Sequence, residues 1–140
     1  MNVPWAVGLE PQTQEIVQND DVVRARQQVR AFAQECRLSL VDQTKFITAA
    51  SELARNTLVY GGGGEMRAGL VENNGRRGVA AVFADSGPGI PDIELALTDG
   101  WTSGGGLGLG LSGARRLVDE FFLDTEAGRG TSVTIVKWAR

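Results

Sequence analysis

An acidic side chain and an amide lie four residues apart in a helix-like stretch of the chain, at Glu52 and Asn56. Residues at this spacing share one face of a helix, so both side chains would point the same way. Asn56 could hold Mg²⁺, which takes few protein ligands and completes its octahedron with waters and phosphates, while Glu52 could orient an attacking group. A solvated polar strip has the same spacing, and the pair alone does not separate these interpretations.

A second oxygen acceptor, Asp85, ends an apolar run and is followed by Gly87 and Gly89. An Asp at such a place commonly starts a turn. At the mouth of an apolar pocket it could instead accept a hydrogen bond from a buried ligand amine, such as the 6-amino group of adenine, and that bond discriminates strongly between bases. The two glycines would let the backbone lie against a flat base.

Glycines are concentrated late in the chain: of the 19 in total, seven lie between Gly100 and Gly113. Glycine is costly in backbone entropy, so such a cluster needs a reason. One reason is a flexible surface loop, and the other is a backbone that turns its N–H groups toward a phosphate beside a helix N-terminus. The Gly108-x-Gly110-x-x-Gly113 pattern lacks the preceding strand of a dinucleotide fold, and no Lys-Ser or Lys-Thr follows the glycines as in a Walker loop.

Hydrophobic periodicity predicts the elements that would position these residues. Helical spacing predicts helices over about 19–36, 41–60 and 111–121, and alternating or apolar runs predict strands over about 13–18, 65–72, 78–85, 122–125 and 130–138. Asn73-Asn74-Gly75 predicts a tight hairpin turn. This order favours an α+β two-layer sandwich, with a mixed, mostly antiparallel sheet and the helices on one face.

Length and composition restrict the class of protein. The 140 residues suit one domain, expected over 13–140, after a loose arm over 1–12 that Pro4 and Pro11 interrupt. The net charge of −3 and the scattered basic residues disfavour a nucleic-acid surface. No stretch approaches the ~20 apolar residues that span a membrane, and no signal peptide is visible, so the expected compartment is the cytoplasm. The absence of histidine excludes histidine-based catalysis and histidine metal ligands.

Several of these features occur together and in order, and they resemble the motifs of the GHKL ATPases, which include gyrase, MutL and the histidine kinases. The segments that carry the resemblance are Ser51–Asn56 (SELARN) for the N box, Asp85–Gly89 for the first glycine box, Gly104–Gly110 for the second glycine box with its ATP lid, and Gly130–Thr131 for the last box. The resemblance implies the Bergerat ATP-binding fold.

Over about residues 13–140 the chain resembles the RsbT-type switch kinases, which are related to the anti-sigma-factor serine kinases. The SELARN helix, the TSGGGLGLGL lid and the terminal GTSVTIVKW carry this resemblance. It implies transfer of the γ-phosphoryl group of ATP to a Ser or Thr of a small STAS-domain antagonist in a partner-switching stress or regulatory pathway. The freed kinase would then activate a downstream PP2C-type phosphatase. The lack of histidine fits this branch rather than the histidine kinases.

The resemblance also implies roles for single residues. Glu52 would be the catalytic base or orienting group for the substrate hydroxyl, and Asn56 would hold Mg²⁺. Asp85 would accept from the adenine amine, and the Thr131 hydroxyl would support that contact. Arg55 is a further candidate for contact with phosphate or substrate. Backbone contacts to ATP would come from Gly87, Gly89, Ile90, Gly104, Gly105, Gly106, Leu107, Gly108 and Gly110.

Two other functions stay open on the sequence. The domain could be an anti-sigma-factor-like binding module that holds a regulator stoichiometrically, with ATP only shaping its surface. It could also be an ATPase fragment of a larger machine, as in gyrase, although the compact length and the lack of a transducer domain disfavour this. A phosphotransfer assay beside a binding assay separates the first of these alternatives from the kinase.

Overall fold

The computed structural model describes residues 2–89, 110–126 and 128–140. The helices are α1 (Asn19–Glu35), α2 (Leu40–Val59) and α3 (Gly110–Arg116). The strands are β1 (Gln12–Ile16), β2 (Gly64–Asn73), β3 (Arg76–Asp85), β4 (Glu120–Glu126) and β5 (Gly130–Trp138). The predicted α+β class is confirmed, and most element boundaries lie within two residues of the predicted ones.

The five strands form one sheet in the order β1-β2-β3-β5-β4. Every pairing between these described strands is antiparallel, whereas the expected sheet was mixed and mostly antiparallel. At the turn between β2 and β3, Asn74 (φ 53°) and Gly75 (φ 79°) both have positive φ. Two such residues are what a type I′ hairpin turn requires, and the predicted turn is confirmed.

One face of the sheet packs against α1 and α2. The buried residues of this interface alternate along the strands and recur every three or four positions along the helices, as the sequence patterns predicted. The largest of them are Phe46, Phe83, Ile16, Leu53, Met66 and Ile135. Within the described ranges, no helix is long and apolar enough to cross a membrane. The cytoplasmic location stays a prediction.

The capping residue at the start of α1 is Gln18. Asp21 Oδ2 accepts the backbone N–H of Val17 at 3.0 Å and that of Gln18 at 3.2 Å. The bond from Val17 lowers the pKa of Asp21, and Arg24, 2.9 Å from Asp21 Oδ1, acts in the same direction while burial opposes both. A buried carboxylate thus fixes the turn that leads from β1 into α1.

The third helix is shorter than predicted. It ends at Arg116 and the chain enters β4 at Glu120, so Phe121 lies in a strand and not at a helix end. The reason lies at the end of β5, where the backbone N–H of Trp138 donates to Asp119 Oδ2 at 2.8 Å. This bond fixes the connection against the sheet, and the residues after it alternate between the two faces of β4.

The expected loose arm is instead fastened to β2. The N–H of Ala6 donates to the carbonyl of Leu70 at 2.8 Å, and the carbonyl of Pro4 accepts the N–H of Glu72 at 3.0 Å. Pro4 lacks an N–H but keeps its carbonyl, so it can still bond one side of a ladder. The arm lies over the sheet face opposite the helices, where Val3 and Trp5 pack on Val71, Ala80, Val136 and Trp138. The domain boundary at residue 13 stays a prediction.

Candidate functional site

Asp85, the last residue of β3, has a carboxylate of fixed orientation. Its Oδ1 accepts the backbone N–H of Gly87 at 2.9 Å and the backbone N–H of Thr131 at 3.3 Å. No hydrogen bond from the described residues reaches the other oxygen, Oδ2, and the residue is half-buried. One carboxylate oxygen is therefore held by the backbone, and the other can accept from a donor outside this part of the chain.

The start of β5 lies directly against the end of β3. A β-carbon on Gly130 would lie 2.1 Å from the carbonyl oxygen of Asp85, and Gly130 has a φ of +112°. Both the available space and the backbone conformation therefore exclude a side chain at this position. This close approach is what brings the N–H of Thr131 within reach of the Asp85 carboxylate.

The hydroxyl of Thr131 is paired with another threonine. Thr131 Oγ1 lies 2.9 Å from Thr125 Oγ1 on the neighbouring strand, and Thr125 Oγ1 also donates to the carbonyl of Gly130 at 3.2 Å. Thr131 thus contacts Asp85 through its backbone, and the implied role of its hydroxyl in adenine contact remains a prediction. Thr125 was not predicted from the sequence, because the register that places it opposite Thr131 is known only from the fold.

The helix α2 carries Glu52 and Asn56 one turn apart, and both residues are half-buried. They flank the fully buried stripe that contains Leu53 and Ala54, whereas Arg55 is exposed. The predicted placement of the two acceptors at one helical spacing is confirmed. Their roles as base and magnesium ligand are not settled by this placement and remain predictions.

The C-terminal end of α2 connects Asn56 with the turn that follows Asp85. The backbone carbonyl of Asn56 accepts the N–H of Tyr60 at 2.9 Å and that of Gly61 at 3.1 Å. Gly61 lies against the turn after β3: a β-carbon on it would lie 2.5 Å from Asp85 Cγ, and one on Gly87 would lie 2.8 Å from the Gly61 carbonyl oxygen. Gly61 was not among the predicted site residues, because its contact with residue 85 has no local signal in the sequence.

Two predicted glycines lie on either side of residues 90–109. Gly89 has a φ of +77°, and Gly110, with a φ of +69°, begins α3, which packs on α2. The carbonyl of Pro88 accepts the N–H of Gly128 at 2.8 Å, which ties the turn after β3 to the turn between β4 and β5. The other predicted contacts, Ile90, Gly104, Gly105, Gly106, Leu107 and Gly108, lie outside the described residues.

The donor set suits magnesium that is bound together with phosphate. Asn56, the predicted ligand, offers an amide oxygen, and oxygen is the ligand type that Mg²⁺ prefers. In residues 2–89, 110–126 and 128–140 there is no group of three or more acidic or cysteine side chains that could hold an ion by itself. Such a sparse set fits an ion that completes its coordination with waters and phosphate oxygens.

Comparisons with known proteins identify the family of this chain. Residues 41–139 match the family described as histidine kinase-, DNA gyrase B-, and HSP90-like ATPase. Over 120 residues, the chain is 46% identical to the serine/threonine-protein kinase RsbT of Bacillus subtilis (strain 168). That alignment covers 86% of this chain and 90% of the relative.

Two solved structures share the fold. The RsbU and RsbW domains of Rv1364c from Mycobacterium tuberculosis align with a TM-score of 0.64 and 20% identity over 93% of this chain, which spans only 33% of that longer chain. The mycobacterial sensor histidine kinase MprB aligns with a TM-score of 0.54 and 20% identity, over 93% of this chain and 98% of its own. The two solved structures show the fold alone, whereas the family match and the identity to RsbT also show the family. The chain therefore belongs to the histidine kinase-, DNA gyrase B- and HSP90-like ATPase family, and within it to the RsbT-type serine/threonine-protein kinases.

Proposed function

We propose that this chain uses Mg-ATP to phosphorylate a Ser or Thr of a small STAS-domain protein, and that the released kinase then activates a PP2C-type phosphatase. The 46% identity to RsbT over most of both chains supports the kinase class. The observation that carries the nucleotide part is the Asp85 carboxylate, whose Oδ1 is held by the N–H groups of Gly87 and Thr131.

The Asp85 carboxylate supports a preference for adenine over guanine. An ionised carboxylate only accepts hydrogen bonds. Adenine has an amine donor at position 6, whereas guanine has a carbonyl acceptor there. A guanine in the same pose would set two acceptors against each other, and leaving buried polar groups unpaired is costly. The proposed pocket therefore takes ATP in preference to GTP.

The proposed transfer is a displacement at phosphorus. The hydroxyl oxygen of the substrate Ser or Thr bonds to the γ-phosphorus, the bond from that phosphorus to the β–γ bridging oxygen breaks, and ADP leaves with the electron pair. Glu52 would accept the proton of the hydroxyl, and Asn56 would hold Mg²⁺, which offsets the phosphate charge when bound. Phosphoryl transfer depends mainly on positioning and charge stabilisation, which this small set of residues can supply.

The first experiment titrates Mg-ATP and Mg-GTP into the wild-type protein, Asp85→Asn and Asp124→Asn by calorimetry. Asp124 is exposed on β4 and serves as the control carboxylate. We expect the wild type and Asp124→Asn to bind ATP but not GTP, and Asp85→Asn to lose ATP binding. Equal binding of GTP, or no nucleotide binding by the wild type, would reject the proposed pocket.

A second experiment follows the phosphoryl group. Incubation with γ-labelled ATP and a STAS-domain protein should transfer label to a Ser or Thr of that protein. If ATP binds, no label is transferred and the protein instead holds a regulator at one-to-one stoichiometry, the binding-module alternative is the correct one.

A further inference from the structure

The glycine at position 61 is not required by its own backbone conformation. Gly62 and Gly63, which follow it, have positive φ values of 74° and 106°, whereas Gly61 is not among the positive-φ residues. Any side chain could adopt its backbone angles without the strain that the left-handed region imposes. The reason for glycine at position 61 is therefore spatial.

The space next to Gly61 is occupied by the Asp85 side chain. A β-carbon on Gly61 would lie 2.5 Å from Asp85 Cγ, 2.6 Å from Cβ and 2.6 Å from Oδ2. These separations are far shorter than the ~3.5–4.0 Å at which carbon atoms attract one another. One methyl group at position 61 would therefore overlap Cβ, Cγ and Oδ2 of the Asp85 side chain.

Asp85 cannot move away at little cost. Its Oδ1 accepts the N–H groups of Gly87 and Thr131 at 2.9 and 3.3 Å. Its carbonyl oxygen lies so close to Gly130 that a β-carbon there would be 2.1 Å away. Gly61 itself is held by its N–H, which donates to the carbonyl of Asn56 at 3.1 Å. A side chain at position 61 would therefore break one of these contacts.

We propose that Gly61 is a positioning residue for base selection: because it has no side chain, the Asp85 carboxylate keeps the orientation in which Oδ1 is held by backbone N–H groups and Oδ2 faces the base. This inference rests on the proposed role of Asp85 in accepting the adenine amine. The atoms nearest to a β-carbon on Gly61 all belong to Asp85, so its substitution should act on the 6-amino contact through that side chain.

The test compares Gly61→Ala with the wild type for two ligands, Mg-ATP and the purine riboside triphosphate that lacks the 6-amino group. We expect the wild type to bind ATP on the order of 10-fold or more tightly than the analogue, as a hydrogen bond to a charged group implies. Gly61→Ala should lose this preference, with weaker ATP binding and nearly unchanged binding of the analogue. Val59→Ala, at an exposed position on the same helix end, should bind both ligands like the wild type.

The outcomes separate the two proposals. If the wild type binds ATP and the analogue equally, the adenine contact of Asp85 is wrong and the inference fails with it. If the wild type prefers ATP and Gly61→Ala keeps the same preference, the inference alone is wrong. An equal loss for both ligands in Gly61→Ala would show a general structural role and would also overturn it.

A thermal-stability cycle gives a readout that needs no nucleotide. Gly61→Ala should lower the melting temperature in the wild-type background, but not in an Asp85→Gly background, which lacks all three overlapping atoms. If Gly61→Ala alone fails to fold, the variant that combines Gly61→Ala with Asp85→Gly should fold. Equal destabilisation in both backgrounds would reject the contact between Gly61 and Asp85 as the cause.

Discussion

Thr125 and Thr131 face each other across the β4–β5 hairpin, with their hydroxyl oxygens 2.9 Å apart. Thr125 can also donate to the carbonyl of Gly130. A hydroxyl has one proton and two lone pairs, so either threonine can supply the proton of the shared bond. The pair joins the side chain of Thr131 to the neighbouring strand, while the backbone N–H of the same residue holds Asp85.

Thr125→Val should release the Thr131 hydroxyl while keeping the shape of the side chain. We expect a loss of about 1 kcal/mol in the free energy of unfolding, typical of one hydrogen bond, and a smaller loss of ATP affinity than in Asp85→Asn. Urea denaturation and calorimetry measure the two effects. Thr125→Ser keeps the hydroxyl and should resemble the wild type; equal effects of Ser and Val would show that the hydroxyl pair does not matter.

Glu52→Gln should bind ATP like the wild type but transfer phosphate at least ~100-fold more slowly, because an amide cannot accept the hydroxyl proton and general-base catalysis contributes this much. Single-turnover transfer of labelled phosphate measures the rate. Glu35→Gln, an exposed change at the end of α1, is the matched control. An unchanged transfer rate in Glu52→Gln would remove Glu52 from its proposed role.

Asn56→Ala should make ATP binding independent of magnesium, since the change removes the proposed oxygen ligand. Asn56→Asp keeps an oxygen at the same place and should retain the magnesium dependence. Titrations of ATP with Mg²⁺ and with a chelator compare the two variants. A magnesium dependence that persists in Asn56→Ala would place the metal ligand elsewhere.

The buried carboxylate of Asp21 should make stability depend on pH. Because the N–H of Val17 lowers its pKa in the folded state, its contribution to stability is present above the unfolded pKa of about 3.9 and is lost as the pH falls through the lower folded value. Asp21→Asn should therefore be less stable than the wild type at pH 7, with the difference shrinking toward pH 3. Urea denaturation at both pH values checks this against Asp20→Asn, a neighbouring exposed position; a constant difference would contradict it.

Trp5→Ala should loosen the arm from the sheet. Trp5 is half-buried against the outer cluster that includes Val71 and Trp138, so we expect a loss of about 1–3 kcal/mol and faster hydrogen exchange at Ala6. Val7→Ala is the control, because Val7 is fully exposed at 100%. An unchanged melting temperature in Trp5→Ala would show that the arm does not contribute to stability.

Much of the fold could be predicted because its signals are local. The apolar stripe placed α2 within one residue at each end, and Asn74-Gly75 identified the β2–β3 turn. The predicted end of α3 was wrong because Leu117 and Val118 continue the helical spacing of apolar residues. The contact that stops the helix involves Trp138, about twenty residues away in the chain. The fastening of the arm was missed for the same reason, since its partner is β2.

The site residues also differ in whether the sequence carries a local signal for them. Asp85 and Thr131 belong to motifs that a sequence displays, and the structure joins them by a hydrogen bond. Gly61 and Thr125 belong to no motif, because each matters through an atom of a residue that the fold brings beside it. Residues of this second kind become visible only when the packing is known.

Among the strands that the structure describes, β1 and β4 lie at the two edges of the sheet, and β4 is the longer, with seven residues against five. An uncovered edge can pair with another chain and seed aggregation. Glu120, Asp124 and Glu126 recur at every second or fourth position along β4 and so lie on one face of this strand. Two copies approaching edge to edge would bring these like charges together, which gives this small domain a built-in resistance to unwanted strand pairing.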